Sequence, residues 1–255
     1  MAVAHRERAL VWGGYEESQM DNDHYLPSSE VMIYNSLTQT WVAKRTTGEV
    51  PTKCSGAGAA VLGDTMYVVA GFHKVIITVN ALREVNGVGW LSDSDDEENN
   101  TVETVEISNS IWALDLETYV WTKLSPRGVP PLRCDKTAVW THRDKVYIFG
   151  GFGPPPTTDQ ELKMGNLFEF CDDPQSVQSP YNRGWSNQLV CYNTSTDAWE
   201  WPVTTGPAPS PRAAHSVAVV GDTAYVFGGR HLDNRLNDLY SLNLDTMRYT
   251  THCKL

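Results

Sequence analysis

The feature that most constrains the fold is a spacing that recurs along the chain. A glycine ends a run of β-branched and aromatic residues four times, at Gly14, Gly71, Gly151 and Gly229. An aromatic residue follows each of them, at Trp41, Trp121, Trp199 and Tyr249. Each tryptophan lies 30 residues before the next of these glycines, whereas the glycine-to-aromatic interval is 27, 50, 48 and 20 residues. One constant and one variable interval predict a repeated unit whose insertions all enter the same loop.

Each unit has the pattern of short antiparallel strands. In the last one, residues 213–220 alternate loosely, Gly221-Asp222 forms a tight turn, and residues 223–227 are β-branched or aromatic before Gly228-Gly229. Such runs between glycine turns favour a strand meander over helices. Four strands, a diglycine and a later aromatic residue are typical of one kelch blade. The sequence therefore predicts an all-β protein, a kelch-repeat β-propeller with about four blades in one domain, 1–255.

The repeated residues have expected structural roles. The diglycine lets the chain turn where strands converge and side chains have no room. The tryptophan is expected to pack between neighbouring blades, because one blade cannot bury so large a ring alone. No hairpin partner is evident before the first diglycine strand, so we expect blade one to be incomplete. Arg212 and His215 are interpreted as hydrogen-bonding groups that lock the blades together rather than as site residues.

Composition narrows the classes of partner and activity. The net charge of −11 argues against nucleic acid or an anionic membrane as main partner, since both require a basic surface. The first residues lack the apolar core of a signal peptide, and no apolar run of about 18 residues predicts a membrane span. Five widely spaced cysteines suggest reduced thiols of an intracellular protein. Without CxxC, HExxH, GxSxG or P-loop motifs, we predict no metal, no cofactor and no enzyme activity.

Two insertions interrupt the repeats. Residues 75–108 enter blade two and contain five carboxylates between Ser92 and Asn100. We interpret this segment as a solvated, disordered loop; an acidic calcium loop or a docking tail is the alternative, although the glycine and terminal glutamate of a calcium loop are missing. Residues 153–188 enter blade three with three consecutive prolines and, later, Arg183 and Trp185. This composition resembles that of a long binding loop that extends from a rigid scaffold. The alternative is a loop without a function of its own.

Cations in this acidic chain concentrate in one class of loop. Arg230 follows the last diglycine, and Arg235 comes five residues later in the same loop. Arg183 lies in the blade-three insertion, whereas Lys136 precedes a blade-three strand. Loops of one class emerge on one face of a propeller, and paired arginines can bind a carboxylate bidentately. We therefore predict an anion-binding face; solvated surface arginines are the alternative.

Several phrases resemble one family more closely than kelch proteins in general. They are VWGGY at 11–15, YLP at 25–27, DK at 135–136, FGGFG at 149–153, RGW at 183–185 and the whole of 209–246. These phrases are similar to the family of kelch domain-containing proteins 1 and 2. The resemblance implies a six-bladed propeller, of which this chain, apparently truncated after its fourth blade, holds about four. It also implies a substrate receptor of a cullin-2 RING ubiquitin ligase, which captures the C-terminus of substrates ending in diglycine.

The resemblance implies the site residues as well. It assigns the grip on the terminal carboxylate to Arg230 and Arg235. It assigns the lining of the pocket to Lys136, Arg183, Trp185, Tyr15 and Phe152. At Phe152 the family member for diglycine ends has tyrosine, so a hydroxyl is missing here. A serine–tryptophan pair of blade five and the segment that recruits the elongin adaptor would lie beyond Leu255.

The implied partners are C-terminal peptides, elongin B/C and cullin-2, and the implied localisation is nucleus and cytoplasm. Three alternatives remain open at this stage. They are a kelch scaffold that binds a folded protein partner, a truncated isoform without adaptor recruitment, and a propeller enzyme that would carry a metal.

Overall fold

The computed structural model describes residues 1–16, 24–78, 101–176 and 182–254. Nearly all of the regular structure is β-strand, arranged as four blades that follow one another in chain order. The innermost strands contact each other successively, from β1 (Ala2–His5) to β8 (Gly58–Leu62), β14 (Ala138–His142) and β19 (Ser216–Val220). The prediction of an all-β propeller with four blades is confirmed.

Blade one is a complete four-stranded antiparallel sheet. Its strands are β1, β2 (Arg8–Val11), β5 (Glu30–Asn35) and β6 (Thr40–Arg45). A short hairpin of β3 (Tyr15–Glu16) and β4 (His24–Tyr25) extends from it. The prediction that this blade is incomplete is wrong, because β1 pairs with β2 from Ala2–Val11 to His5–Arg8. The turn between them contains no glycine; Arg6 adopts the left-handed conformation, with φ of 54°, so the usual turn signal is missing.

Blade two contains β8, β9 (Thr65–Val69), β12 (Ile111–Asp115) and β13 (Val120–Leu124), with β7 (Thr47–Gly48) running parallel to β13. Its insertion begins and ends with strands β10 (Phe72–Thr78) and β11 (Thr101–Ile107), which pair along their whole length. The ends of the segment 75–108 are therefore ordered as strands. The acidic residues 92–98 lie outside the described residues, so disorder there stays a prediction.

Blade three contains β14, β15 (Lys145–Gly153), β17 (Gly184–Asn193) and β18 (Ala198–Glu200), and β16 (Phe170–Asp172) pairs with the first part of β17. The 153–188 insertion carries a short helix, α1 (Asp159–Lys163), which begins at a Thr158–Glu161 capping box. Blade four contains β19, β20 (Thr223–His231), β21 (Asn234–Asn243) and β22 (Arg248–Lys254). Within the described ranges, no helix is long and apolar enough to cross a membrane.

The repeated glycine, here called the second glycine because another glycine precedes it in every blade except blade two, where Ala70 does, makes the link from one blade to the next. Its backbone N–H donates to the carbonyl oxygen of the residue that enters the following blade, for Gly14 to Cys54 (3.1 Å), Gly71 to Cys134 (2.9 Å) and Gly151 to Arg212 (2.8 Å). At Gly151, φ is +123° and an added Cβ would lie 2.7 Å from the Sγ of Cys134. The prediction that this position has no room for a side chain is confirmed.

The repeated aromatic residue fills the space between blades. Trp121 is 1% exposed; its ring lies 5.3 Å from that of Trp12 in blade one, and its Nε1 donates to Thr46 Oγ1 at 3.1 Å. Tyr249 has the same position in blade four, with its ring 6.3 Å from that of Phe149 in blade three. The inter-blade role predicted for the aromatic residue is therefore confirmed in these blades.

Blade one departs from this rule. Trp41 is 55% exposed, and its ring packs against Tyr34 of its own blade at 5.2 Å. Strand β6 is exposed at every residue, including Val42. Because Trp121 and Tyr249 pack against the preceding blade and blade one is the first blade of this sequence, the inter-blade role predicted for Trp41 stays a prediction.

The linker after each outer strand pairs with the outer strand of the next blade. Parallel pairs join Thr47 to Val120, Arg127 to Ala198 and Thr205 to Arg248. A left-handed glycine follows the linker residue each time. At Gly206, φ is +79° and a Cβ would lie 2.3 Å from the backbone oxygen of Tyr249. This close approach leaves no alternative to glycine.

We therefore expect Gly206→Ala to lower the free energy of unfolding by about 3 kcal/mol, because both a left-handed conformation and a backbone clash oppose the methyl group. The matched control is Gly221→Ala in the same blade, where φ is +58° and nothing lies within 4 Å of the added Cβ. That change should cost only about 1 kcal/mol. Denaturant unfolding of the two variants measures the difference, and equal losses would contradict the proposed clash.

Candidate peptide-binding site

The residue directly after the second glycine has the same place in every blade. These residues are Tyr15, Phe72, Phe152 and Arg230. In blades two to four each exchanges two backbone hydrogen bonds with the turn that enters its own blade, as in Phe152 with Asp135, at 2.9 Å in both directions. The repeat therefore presents Phe72, Phe152 and Arg230 at the same end of three successive blades.

These positions form a continuous layer of rings and guanidinium groups, here called the cation–aromatic stack: Phe72, Arg183, Phe152, Trp185 and Arg230. The Arg183 Cζ lies 4.3 Å from the ring centroid of Phe152 and 5.4 Å from that of Phe72. The rings of Phe152 and Trp185 are 4.8 Å apart, and the Arg230 Cζ lies 5.9 Å from the Trp185 ring. Cation–π attraction holds such guanidinium groups against ring faces. Three blades thus contribute to one surface.

A buried carboxylate that the sequence analysis missed fixes this surface from below. Asp135 is 4% exposed, and its Oδ1 accepts a hydrogen bond from Arg183 Nη2 at 2.8 Å. The same nitrogen also donates to the backbone oxygen of Phe152 at 3.3 Å. The Lys136 Nζ lies 3.7 Å from Asp135 Oδ2. Removing one partner of a buried pair leaves the other charge uncompensated, so Asp135 and Arg183 hold each other in place.

Arg230 of blade four has a weaker ion-pair partner than Arg183 has. Arg230 Nε donates to the Leu232 oxygen at 2.7 Å, and its Nη2 lies 3.6 Å from Asp233, whose side chain is 82% exposed. Arg235 is exposed and stands directly opposite Arg230 in the β20–β21 pairing. Opposite residues of an antiparallel pair project to the same face, where two like charges repel. An anion between them would relieve that repulsion and accept hydrogen bonds from both.

The structure differs from the expected site in two respects. Trp185 is 3% exposed and is packed near Arg230 and near His231, whose ring is 6.1 Å away, so it is buried beneath the site rather than an exposed lining residue. Tyr15 is outside the cation–aromatic stack; its ring packs against Tyr25 in blade one at 5.4 Å. Of the other predicted site residues, Lys136 lies beside the stack, with its Nζ 5.8 Å from the Phe152 ring.

Sequence signals existed for part of what was missed. Phe72 shares with Phe152 the position after the glycine, so the repeat alone could have indicated it. Asp135 is adjacent to the predicted Lys136, but its contact with Arg183 spans 48 residues and has no local signal. His231, whose ring packs near Trp185, directly follows the predicted Arg230, and this adjacency is its sequence signal.

Beneath the stack, Arg212 and His215 have structural roles. Arg212 is fully buried; Nη1 and Nη2 donate to the two carboxylate oxygens of Asp238 at 2.7 and 3.0 Å, and Nη1 also donates to the Gly228 oxygen at 2.9 Å. Arg212 is a buried hydrogen-bonding group, but its side chain braces its own blade, and only its backbone oxygen, which accepts from the Gly151 N–H, links blade four to blade three.

His215 meets the ring of Phe149 in blade three edge-on, 5.2 Å between centroids, and both of its ring nitrogens are buried without a hydrogen-bond partner in the described residues. Its contact across the blades is therefore ring packing and not the predicted hydrogen bond. Burial, with a smaller effect of the Arg212 charge, lowers the pKa of His215 from 6.5 to about 3.

The thiols offer little nucleophilic chemistry. The four cysteines whose side chains the structure describes, Cys54, Cys134, Cys171 and Cys191, are free. Burial raises the pKa of Cys54 to about 11 and those of Cys134 and Cys191 to about 12. A thiol with such a pKa stays neutral near pH 7, and the thiolate is the reactive form.

The glycine links, the inter-blade aromatic residues and the four-stranded meanders define a kelch-repeat β-propeller. The model of the KLHDC2/KLHL20/DRC7 Kelch-repeats domain matches residues 100–251, which is more than half of the chain. The chain belongs to this family.

Named relatives agree with this assignment. Kelch domain-containing protein 2 from Homo sapiens is 35% identical over 245 residues, which are 94% of this chain and 52% of that protein. The Bos taurus protein of the same name is 35% identical over 255 residues, 98% of this chain and 54% of its own length. Kelch domain-containing protein 1 from Homo sapiens is 31% identical over 255 residues, with the same coverage. The chain spans about half the length of these relatives.

The pKa of His215 gives a prediction about stability. The pKa of His215 is lower in the folded than in the unfolded protein, so the neutral ring contributes to the free energy of unfolding fully above about pH 6.5, and this contribution is lost as the pH falls toward 3. The free energy of unfolding should therefore be about 2 kcal/mol lower at about pH 5 than at about pH 7.5.

His215→Gln removes this titration, so the variant should lose less stability between the two pH values than the wild type. Urea unfolding at both pH values measures the change, which does not depend on how far the variant is destabilised at neutral pH. An unchanged pH dependence in the variant would show that His215 is not the group responsible.

Proposed function

We propose that the propeller is a non-enzymatic peptide-binding module that captures the terminal carboxylate of proteins ending in diglycine. The observation that carries the proposal is the placement of Arg230 and Arg235 directly opposite each other, beside the cation–aromatic stack. Two guanidinium groups on one face of a hairpin offer parallel donors to one carboxylate. A carboxylate at a chain end is also a feature that no internal segment can present.

The division of charge among the cations supports this proposal. Asp135 already engages Arg183 and attracts Lys136, so these two cations are partly neutralised. Arg230 faces only the highly exposed Asp233 among its ion-pair partners in the described residues, and a surface pair of this kind contributes little. The anion is therefore expected at the blade-four end, whereas the donors of Lys136 and the stack can meet peptide carbonyl groups.

The preference for glycine follows from the space beside the arginines. Rings and guanidinium groups of the stack fill the surface next to Arg230, and Trp185 is buried beneath it. A peptide whose last residues lack side chains can bring its backbone and carboxylate close to such a surface. A bulky last residue would have to displace the stacked groups.

We further propose that the whole protein acts as a substrate receptor of a cullin-2 RING ubiquitin ligase, in the nucleus and cytoplasm. The support is the family assignment and the resemblance in residues 183–185 and 209–246. Elongin B/C and cullin-2 would be the partners, and no residue of this chain is assigned to them. Purification of the full-length protein from cells should recover elongin B/C and cullin-2, and their absence would contradict the ligase role.

A second candidate function is a scaffold that binds a folded partner. The assignment to the Kelch-repeats family supports it, since the loops of a rigid propeller can bind a folded protein as well as a peptide. Such a partner would not depend on a free terminal carboxylate. The peptide experiment below distinguishes the two functions.

A peptide ending in Gly-Gly with a free carboxylate is expected to bind at least about tenfold more tightly than the same peptide with an amidated end, because amidation removes charge-assisted hydrogen bonds. Fluorescence anisotropy or calorimetry measures both affinities. Arg230→Ala and Arg235→Ala should each reduce binding of the free-acid peptide by a similar factor and leave binding of the amidated peptide nearly unchanged.

The matched control is Arg45→Ala, which removes an exposed arginine from strand β6 of blade one. Circular dichroism and thermal unfolding should show that all three variants fold. If Arg45→Ala weakens binding as much as the blade-four changes do, general electrostatic attraction explains the result. Equal affinity for the two peptides would exclude carboxylate capture and favour the scaffold.

A further inference from the structure

A second cluster of charged side chains lies at the opposite end of the blades. In a four-stranded meander, the turns between strands one and two and between strands three and four lie at one end, away from the loop that joins strands two and three. In blade three the first turn carries His142 and Arg143; in blade four the two turns carry Asp222 and Asp245. These four side chains meet across the boundary between the two blades.

The geometry of three of them suits a metal ion. One ligand atom from each of His142, Asp222 and Asp245 lies within 4.8 Å of the others. The His142 side chain is 11% exposed, and its Nε2 is buried without a hydrogen-bond partner in the described residues. That nitrogen lies 3.2 Å from Asp222 Oδ1, too poorly aligned for a hydrogen bond. A buried polar atom left unsatisfied is uncommon and calls for an explanation.

The equivalent turns of blades one and two provide a comparison within the same chain. His5 Nε2 and Asp64 Oδ1 are 2.9 Å apart and form a hydrogen bond, and Arg6 Nη2 donates to the same oxygen at 2.7 Å. Glu117 has the place that Asp245 has in blade four, since both follow an Asx turn of the same form. Among the described residues at this boundary, no histidine and two carboxylates have ligand atoms within 4.8 Å of one another, as they do between blades three and four.

Arg143 now compensates the two carboxylates. Its Nη2 lies 2.7 Å from Asp245 Oδ1 and 3.4 Å from Asp222 Oδ1. The side chain is 63% exposed, so the guanidinium group can move into solvent with little loss of stability. A divalent cation could then replace it between the same oxygens.

We propose that His142, Asp222 and Asp245 form a binding site for a borderline divalent metal ion, with Zn²⁺ as the representative, which joins blades three and four. One imidazole nitrogen and two carboxylate oxygens are zinc ligands, and water would complete a tetrahedral set. Ca²⁺ and Mg²⁺ prefer all-oxygen sites and are expected to bind more weakly. The ligands are 80 and 23 residues apart, so the sequence motifs searched for gave no indication of this site.

The test uses Zn²⁺ itself as the probe in a chelator-free, phosphate-free buffer. Calorimetry should detect binding to the wild type, and the unfolding temperature should rise by roughly 2–4 °C at about five times the dissociation constant. Asp245→Asn, at a half-exposed turn residue, should remove both effects, and His142→Ala should do the same. Arg143→Gln should tighten zinc binding, because the competing cation is gone.

The matched control is Glu117→Gln in the equivalent turn of blade two, which should respond to zinc like the wild type. An identical response of wild type and Asp245→Asn would overturn the site and place any bound zinc elsewhere. No measurable binding to the wild type would also overturn it. A response to Mg²⁺ as large as that to Zn²⁺ would overturn the assignment of a nitrogen-ligated metal.

Discussion

The hydrogen bond from the second glycine of one blade to the entry residue of the next is the contact on which the rest of the structure depends. It joins Gly14 to Cys54, Gly71 to Cys134 and Gly151 to Arg212 with nearly constant geometry. The backbones approach so closely here that a side chain on Gly151 would overlap Cys134. Because the next residue then returns to its own entry turn, its side chain always emerges at the same end of the blade. The link that assembles the blades therefore also places the candidate site.

Electrostatics divides that site into two parts. At the blade-three end, a buried Asp135 holds Arg183 against the Phe152 ring and attracts Lys136, so one carboxylate compensates part of the charge of two cations. At the blade-four end, Arg230 and Arg235 stand opposite each other with weak compensation. This division of charge agrees with the proposed ligand, an extended peptide whose charged end would lie at the blade-four arginines. The acidic remainder of the chain would disfavour anions elsewhere on the surface.

The opposite end of the same blades shows how a repeat can diverge. Blades one and two join their turns through His5, Arg6 and Asp64, and blades three and four use the same residue types at His142, Arg143 and Asp222. Glu117 has the place of Asp245 at the first boundary, but among the described residues only Asp245 lies close to both a histidine and a second carboxylate. The position of one acidic side chain therefore separates an inter-blade ion pair from a set of three candidate ligands. The repeat keeps the geometry constant, so single substitutions can create different chemistry at equivalent positions.

The sequence by itself determined the four blades, the class of loop that carries insertions and the positions of Arg230 and Phe152, because these follow from a period that local turns and strands enforce. It did not indicate the first strand of blade one, whose turn lacks glycine, or the burial of Trp185. Tertiary structure decided which side chains meet. Asp135 and Arg183 are 48 residues apart within blade three, and they meet because the long insertion folds back onto the entry turn of its own blade. His142 and Asp222 are 80 residues apart, and their contact exists only once blades three and four pack together. Local propensity fixes strands and turns over a few residues, whereas these two pairings depend on the path of an insertion and on the rotation between one blade and the next.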